Sequence, residues 1–257
     1  MIIRSNRELK ARYHQLGPGD AFAGHLSLRQ GEELKVFDLI HRGVKFFPSA
    51  LSQFLSRSKV LQAEVLSKFM LPDTFAAYRS YDLIRNLSCY SRHKKIVSKR
   101  ERKHLGMGLS LWSSLEELQS LDAIGSLPYP LVIQPFLSGA RDFRVVVVGD
   151  YIEGYERINP HSFRKNLAQK GTAQPVNVDP RLKDFCLKIM NRGDFPYALL
   201  DILLSPEQEF FLSEISLMGG LSGSKIGQDG FLKHRSRQLD KFCSEHCRNY
   251  SSPPANP

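Results

Sequence analysis

The chain has 257 residues, 42% of them hydrophobic and 24% charged, with 36 Lys and Arg against 26 Asp and Glu and a net charge of +10. This is the composition of a folded globular protein, long enough for one large domain or two small ones, and it excludes disordered and collagen-like chains. No apolar run reaches the roughly 18–20 residues of a membrane-spanning helix, and the opening Met1–Asn6 lacks the apolar stretch and cleavage site of a signal peptide. The expected compartment is the cytoplasm, and no membrane partner is expected.

From Met1 to about Pro48 the pattern is broken by Gly17, Pro18, Gly19 and Gly31, which leaves room for two or three short strands, one of them Leu34–Ile40. Ser58–Met70 reads as a helix, because Leu61, Val65, Leu66, Phe69 and Met70 recur at helical spacing and Pro72 follows. Lys94–Val97 and Leu105–Trp112 read as two strands joined by a basic loop. Ser113 and Ser114, each with a glutamate three residues on, open a short helix as a capping box. A connector with Gly125, Pro128 and Pro130 marks the expected domain boundary.

Beyond it, Leu131–Phe136 is a strand, and Asp142–Val148 with Tyr151–Arg157 is a hairpin turning at Gly149 and Asp150. Asp179 caps a helix that has Pro180 at its first position and a buried stripe of Leu182, Phe185, Cys186, Ile189 and Met190; Gly193 is expected to stop it. Tyr197–Leu204 and Glu209–Ser216 form a last hairpin. The class is α+β, with mainly antiparallel sheets covered by helices. The polar, proline-rich tail is expected to be disordered.

The four cysteines are scattered, which suits free thiols in a reducing compartment. Cys186 reads as a buried inert thiol. Cys243, His246 and Cys247 lack the second ligand pair of a structural zinc site and read as a helix end.

Three constellations carry chemistry. Asp201 lies in an apolar strand, where a carboxylate is costly without a cation or hydrogen bonds. The partner strand supplies Glu214, and Ser216 shares its face. Together they make an all-oxygen set of the kind Mg²⁺ prefers, unless that face simply meets water. Second, Lys99 precedes Gly106 and Gly108, an arrangement that admits phosphate to backbone N–H groups, although turn geometry explains the glycines equally well. Third, Asp142 and Arg144 share a strand face, Arg157 lies on the partner strand, and Arg164, Lys165 and Asn166 follow. Arginine suits bidentate holding of phosphate or carboxylate; exposed surface arginines are the alternative.

In this order the constellations resemble the ATP-grasp superfamily, in particular the branch of ribosomal-protein glutamate ligases. The match runs from about Arg42 to Gly223. Ser58, Lys59 and Gln62, before Pro72 and Thr74, resemble the family's phosphate-binding lysine, helix and Pro-x-x-Thr turn. Lys99 with Gly106 and Gly108 resembles its second lysine and glycine loop, and Gln134, Pro135 and Phe136 fall on its adenine-binding hinge. Asp142 and Arg144 resemble its Asp-x-Arg signature, and Phe163–Asn166 its Phe-Arg-x-Asn segment. Asp201, Glu214 and Ser216 carry its magnesium-ligand pattern, and Met218–Gly223 its glycine-rich end.

The resemblance implies an ATP-grasp fold: a truncated N-terminal segment (1–57), a central subdomain (58–130), a C-terminal subdomain (131–250) and a tail (251–257). It implies a carboxylate–amine ligase that uses ATP and Mg²⁺ (or Mn²⁺) and works through an acylphosphate. Lys59, Lys99, Gly106, Gly108, Gln134, Pro135, Phe136, Asp142, Arg164, Lys165 and Asn166 would hold the nucleotide. Arg144 and Arg157 would act on the transferring group, and the loop from Arg100 to Gly108 would close over ATP. The partners would be a carboxylate and an amine, with an acidic amino acid, peptide or protein tail as acceptor. This sequence departs from the family in having Ser216 in place of the usual Asn and Lys103 in place of the first loop glycine. The rival readings are an ATP-grasp phosphotransferase without ligation, and a non-catalytic basic protein that uses Arg92–His104 on a polyanion. Nucleic acid is the lesser expectation, because both lysines and both acidic ligands are retained.

Overall fold

A computed structural model describes residues 1–29, 31–102, 107–163, 165 and 171–251, the last three for backbone only. The expected disordered tail lies outside these residues, apart from Ser251 at the end of the last helix. Three sheets organise the chain.

The first is parallel: β1 (Ile2–Ile3), β2 (Ala21–Ala23) and β3 (Lys45–Phe47), with α1 (Asn6–Ala11) and α2 (Glu33–His41) between the strands. Parallel neighbours need a crossover connection, and α2 provides it between β2 and β3. The segment Leu34–Ile40, expected as a strand, is therefore helical. Val36 and Leu39 face the core while Leu34, Phe37 and Ile40 stay exposed, so apolar residues on both faces hid the helical period. Ile3, Phe22, Leu26, Val36 and Leu39 form a small core of their own.

After α3 (Ala50–Leu55) comes α4 (Lys59–Val65), capped by Ser58, whose Oγ accepts from the Leu61 N–H at 3.0 Å. The single helix expected over 58–70 is two pieces: α4, then a 3₁₀ turn at Ser67–Phe69. The second sheet has the order β4 (Phe75–Ala77), β7 (Leu131–Pro135), β5 (Ile96–Arg100), β6 (Leu109–Trp112), all antiparallel. It is covered by α5 (Ser80–Tyr90) and α6 (Leu115–Ala123), the latter capped by Ser114 as the sequence predicts. β5 begins later than expected and carries Lys99 within it. β7 completes this sheet, so the break between the two larger sheets falls after Pro135 rather than before Leu131.

The third sheet is also antiparallel: β10 (Thr172–Val176), β9 (Tyr151–Ile158), β8 (Arg141–Val148), β11 (Tyr197–Leu204), β12 (Phe210–Ser216). Its continuous apolar run explains the largest core: Val145, Val146, Val148, Leu200 and Ile202 are fully buried on its two faces, in one cluster with Leu182, Cys186 and Ile189 of α7 (Pro180–Gly193). Asp179 caps α7 as expected, its Oδ1 accepting from the Leu182 N–H at 2.8 Å. The left-handed stop is Asp194 (φ 53°), not Gly193, which closes the helix under the Phe195 ring.

α8 (Gly227–Ser251) returns across the molecule. Phe231, Cys243 and His246 are its buried contacts, and Phe242 stacks on Phe47 at 5.0 Å, tying the third sheet to the first. The Cys243–Cys247 cluster sits in its final turns, with the His246 ring nitrogen Nε2 3.1 Å from the Gly19 carbonyl. Cys186 is fully buried as expected, and burial pushes its thiol up to about 12.

One side chain docks α4 on the third sheet. β12 is an edge strand, and Gln62 covers its open backbone: Nε2 donates to the Ile215 carbonyl at 2.9 Å, and Oε1 accepts from the Ile215 N–H at 3.0 Å. A further Nε2 bond reaches the Leu55 carbonyl at 2.7 Å. Gln62→Ala would strand two buried backbone groups, so a loss of about 2–3 kcal/mol is expected in urea unfolding. A change within about 0.5 kcal/mol would show that the clamp is dispensable.

Candidate functional site

The second and third sheets face one another across a cleft of about 300 Å³. Its charged floor comes from the middle of the third sheet. Asp201 on β11 lies directly opposite Arg144 on β8 and opposite Glu214 on β12, so the three side chains share a face. Arg144 grips Asp201 with both arms of its guanidinium, Nε to Oδ1 at 2.7 Å and Nη2 to Oδ2 at 2.9 Å. Arg157, from β9, donates to Asp201 Oδ2 at 3.0 Å and to Asp142 Oδ1 at 2.8 Å. Its side chain is only 4% exposed, so these carboxylates neutralise a buried cation.

Burial by itself would raise the Asp201 carboxyl, but the guanidiniums of Arg144 and then Arg157 outweigh it and hold the group well below the usual carboxylate range. Asp142 goes the other way: burial lifts it by more than Arg157 lowers it, and the neighbouring charge of Asp201 adds to the rise. Arg144 and Arg157 stay charged, since their carboxylates overcome the cost of burial.

Two lysines reach in from the opposite side. Lys59, the first residue of α4, is buried, with Nζ 3.4 Å from Glu214 Oε1. Lys99 on β5 donates to the Ser213 carbonyl at 2.9 Å and to Ser213 Oγ at 3.1 Å. Ser213 is available because the β11–β12 register slips between Asp201 and Ile202, leaving it as the extra residue of a bulge beside Glu214. Burial pushes the Lys99 ammonium down to about 8; Glu214 opposes the shift and Lys59 adds to it.

The other end of the cleft is apolar. Val97, Leu109, Phe136, Leu137, Phe163 and Leu203 line it beside the buried amide of Gln134. Phe136 and Phe163 meet edge to face at 6.5 Å. Pro135, expected at the hinge, ends β7 opposite Ile96 and does not line the cleft, because alternate residues of a strand face opposite sides. Gly108, Lys165, Ser216, Met218, Gly219 and Gly220 complete the wall. Gly106, Arg164 and Asn166 lie outside the described residues.

The sequence-predicted residues Lys59, Lys99, Gly108, Gln134, Phe136, Asp142, Arg144, Arg157, Lys165, Asp201, Glu214 and Ser216 thus line one cleft. Ser213 and Ser56 were missed. A bulge leaves no composition signal, and Ser56 enters only because its Oγ accepts from the Leu217 N–H at 2.9 Å. The densest basic run, by contrast, is partly diverted: Arg92 and His93 both pair with Asp73, the His93 Nε2 at 2.8 Å.

The oxygen set fits a hard divalent cation. Asp201 accepts three guanidinium bonds, and a carboxylate has about four lone-pair sites, so one remains. The Glu214 side chain is 32% exposed toward the cleft. Among the described residues no group of three His, Cys, Asp or Glu side chains is spaced to hold a metal. Mg²⁺ takes one or two carboxylates and fills its remaining positions with phosphate oxygens and water, so Asp201 and Glu214 would be the carboxylates the chain offers it.

Comparison with known proteins places this architecture. The RiPP-associated ATP-grasp ligase of Chryseobacterium gregarium, solved with ADP and a leader and core peptide, superposes with a TM-score of 0.56 at 16% identity, over 88% of this chain and 76% of that one; the two share the ATP-grasp fold. The RimK-like ATP-grasp domain matches residues 56–229, and the chain belongs to that family of ligases. It is 24% identical over 224 residues to a probable alpha-L-glutamate ligase of Citrobacter koseri, covering 76% of this chain and 73% of that protein. It is also 24% identical over 220 residues to the coenzyme gamma-F420-2:alpha-L-glutamate ligase of Methanocaldococcus jannaschii, covering 82% and 74%. No helix among the described residues is long and apolar enough to cross a membrane.

The buried ammonium of Lys99 has a measurable consequence. The folded group titrates near 8 and the unfolded one near 10.5, so the unfolded chain binds the extra proton between those values and stability rises with pH across that window. Relative to Lys99→Met, wild type is expected to gain about 3 kcal/mol in urea unfolding from pH 8 to 10.5. Parallel curves for the two proteins would overturn the assignment.

Proposed function

We propose that this enzyme joins a carboxylate to an amine at the expense of ATP, with Mg²⁺ (or Mn²⁺) as the metal and an acylphosphate as intermediate. The observation that carries this reading is the convergence of two buried lysines, two arginines and three carboxylates at one end of a cleft whose other end is apolar. Such a cleft suits a nucleotide: a flat base beside Phe136 and Phe163 near the Gln134 amide, and phosphates against Lys59 and Lys99. Lys165 would meet the nucleotide beside Phe163. Asp142 and Gly108 would shape the ribose and phosphate approach.

Asp201, Glu214 and Ser216 would hold the metal, which when bound neutralises the phosphate oxygens. Ser216 offers a shorter and weaker ligand than an amide, so Glu214 carries more of that duty. The substrate carboxylate attacks the γ-phosphorus, the bond to the ADP oxygen breaks, and ADP leaves. The amine nitrogen then attacks the acyl carbon, phosphate departs, and the nitrogen loses a proton. Arg144 and Arg157 would stabilise the charge that develops on the transferring phosphoryl and the acyl oxygen, with their carboxylate partners holding them in place beforehand. Four free thiols suit a reducing compartment, which supports a cytoplasmic enzyme.

Calorimetry tests the reading. ATP is expected to bind in an Mg²⁺-dependent manner, and binding to an Asp201→Asn/Glu214→Gln variant is expected to fall below detection while its unfolding stays cooperative. Carboxylate and amine pairs are then expected to release ADP together with an amide product. ATP binding indifferent to Mg²⁺ and to both substitutions would sink the proposal, and ADP release without amide would convert it to a phosphotransferase.

A further inference from the structure

We infer that this chain pairs with a second copy of itself through the outer face of α2, with Phe37 of each copy meeting at a two-fold axis. The inference does not rest on the ligase reading.

α2 connects β2 to β3 and joins the small core of the first sheet through Val36 and Leu39. Its polar side chains gather on one flank. There Asp38 accepts from the Tyr13 hydroxyl at 2.5 Å and pairs with Arg42 at 2.9 Å, while Lys35 pairs with Glu32 at 3.7 Å. The face turned away from the core is left to Leu34, Phe37 and Ile40, which fall within about 120° of one another around the helix. Leu34 is 74% exposed, Phe37 57% and Ile40 43%. The patch continues onto α3, because the Phe37 and Phe54 rings stack at 5.8 Å and Leu51, 37% exposed, lies one turn before Phe54.

A helix that covers a sheet ordinarily turns charge to the water on its far side, as α7 does with the Asp184–Lys188 ion pair. A helix that is apolar all round is one that is buried all round. α2 has the second pattern and, in a single chain, the first environment. Together Leu34, Phe37, Ile40 and Leu51 leave about 400 Å² of apolar surface open, a size at which exposed patches mark binding surfaces.

Three features select a second copy of this chain as the occupant. The first is self-complementarity about Phe37. In an antiparallel pair with the two-fold axis at that residue, Leu34 lies level with the partner's Ile40, and Glu33 in the first turn lies level with the partner's His41 in the last, carboxylate against imidazole. The second is area. Two such patches remove about 800 Å² of apolar surface from water, and at the apolar share of a homodimer interface the whole contact reaches about 1,200 Å², the lower bound for specific association. The third is the rim. Glu33 and Asp38 disfavour an anionic membrane, which takes helices with lysine and arginine beside the apolar face. None of the four apolar residues lines the cleft, so changing them leaves the nucleotide-facing residues in place.

Sedimentation equilibrium over a concentration series tests the pairing. The wild-type mass is expected to rise from the 29.2 kDa of one chain toward twice that value, with a dissociation constant of about 1–100 µM for a contact of this size. Phe37→Glu and Phe37→Lys each set like charges against one another at the axis, and each is expected to weaken pairing by about tenfold or more. An equimolar mixture of the two variants is expected to recover the dimer, because an axis through residue 37 brings glutamate onto lysine. Both variants are expected to unfold cooperatively in urea at close to the wild-type midpoint, since residue 37 is exposed in the single chain. A wild type that stays at the mass of one chain throughout would overturn the inference and leave this face to a different protein. Dimers that persist in both charged variants, or a mixture no heavier than either variant alone, would overturn it as well.

Discussion

The grip of Arg144 and Arg157 on Asp201 is the interaction on which the rest of the site depends. Two guanidiniums placed in the middle of a sheet, one of them 4% exposed, would be intolerable without a carboxylate at hydrogen-bond distance. Strand register supplies that carboxylate. Asp201 stands opposite Arg144 across the β11–β8 ladder, and Arg157 reaches it from the next strand but one. Since the ladder also fixes Glu214 opposite Asp201, the cationic and anionic halves of the site are set by the same backbone pairing. Residues held in this way have little freedom left to lose when a ligand arrives.

A second constraint joins the sheets. β12 is the edge of the third sheet, and three side chains from the preceding part of the chain bind it within a few residues: Gln62 at Ile215, Lys59 at Glu214 and Lys99 at Ser213. The bulge allows this. Without the extra residue, Ser213 and Glu214 would point to opposite faces of the strand, and only one could meet the cleft. The cost is a buried ammonium on Lys99 whose partners are a carbonyl and a hydroxyl rather than a full countercharge. Such a lysine remains electrostatically unsatisfied, which suits a group meant to meet an anion.

Much of this was legible in the sequence, for identifiable reasons. Carboxylates inside apolar strands, as at Asp201, are conspicuous because burial of charge is expensive, and the alternation along β8 and β9 reported which polar residues share a face. The α2 segment failed because Leu34, Phe37 and Ile40 are apolar yet exposed, so hydrophobicity did not report burial there. The boundary was placed before Leu131 because proline and glycine punctuate that connector, whereas long-range pairing assigns β7 to the sheet of β5. Ser213 was invisible for the same kind of reason, since a register slip is a relation between two strands. The end of α8 was read at Cys243–Cys247, but its length was not, because its sequence is polar and its buried contacts Phe231, Cys243 and His246 are widely spaced.

The distribution of legible and illegible residues follows a physical division. The nucleotide half of the cleft is built from local motifs on regular strands, where side-chain direction follows from sequence spacing, and it lies within the stretch 56–229 that matches the family. The first sheet and most of α8 lie outside that stretch, and they meet where α8 crosses back and stacks Phe242 on Phe47 of the first sheet. The short N-terminal sheet has a small core of its own, so polar contacts tie it to the rest of the fold: the Leu26 carbonyl accepts from Arg57, the residue after the cleft residue Ser56, and the His25 Nε2 lies 3.1 Å from the Tyr197 hydroxyl at the start of β11. Contacts of this kind join residues far apart in sequence, which is why spacing along the chain reported the cleft strands and not how the N-terminal segment is attached to them.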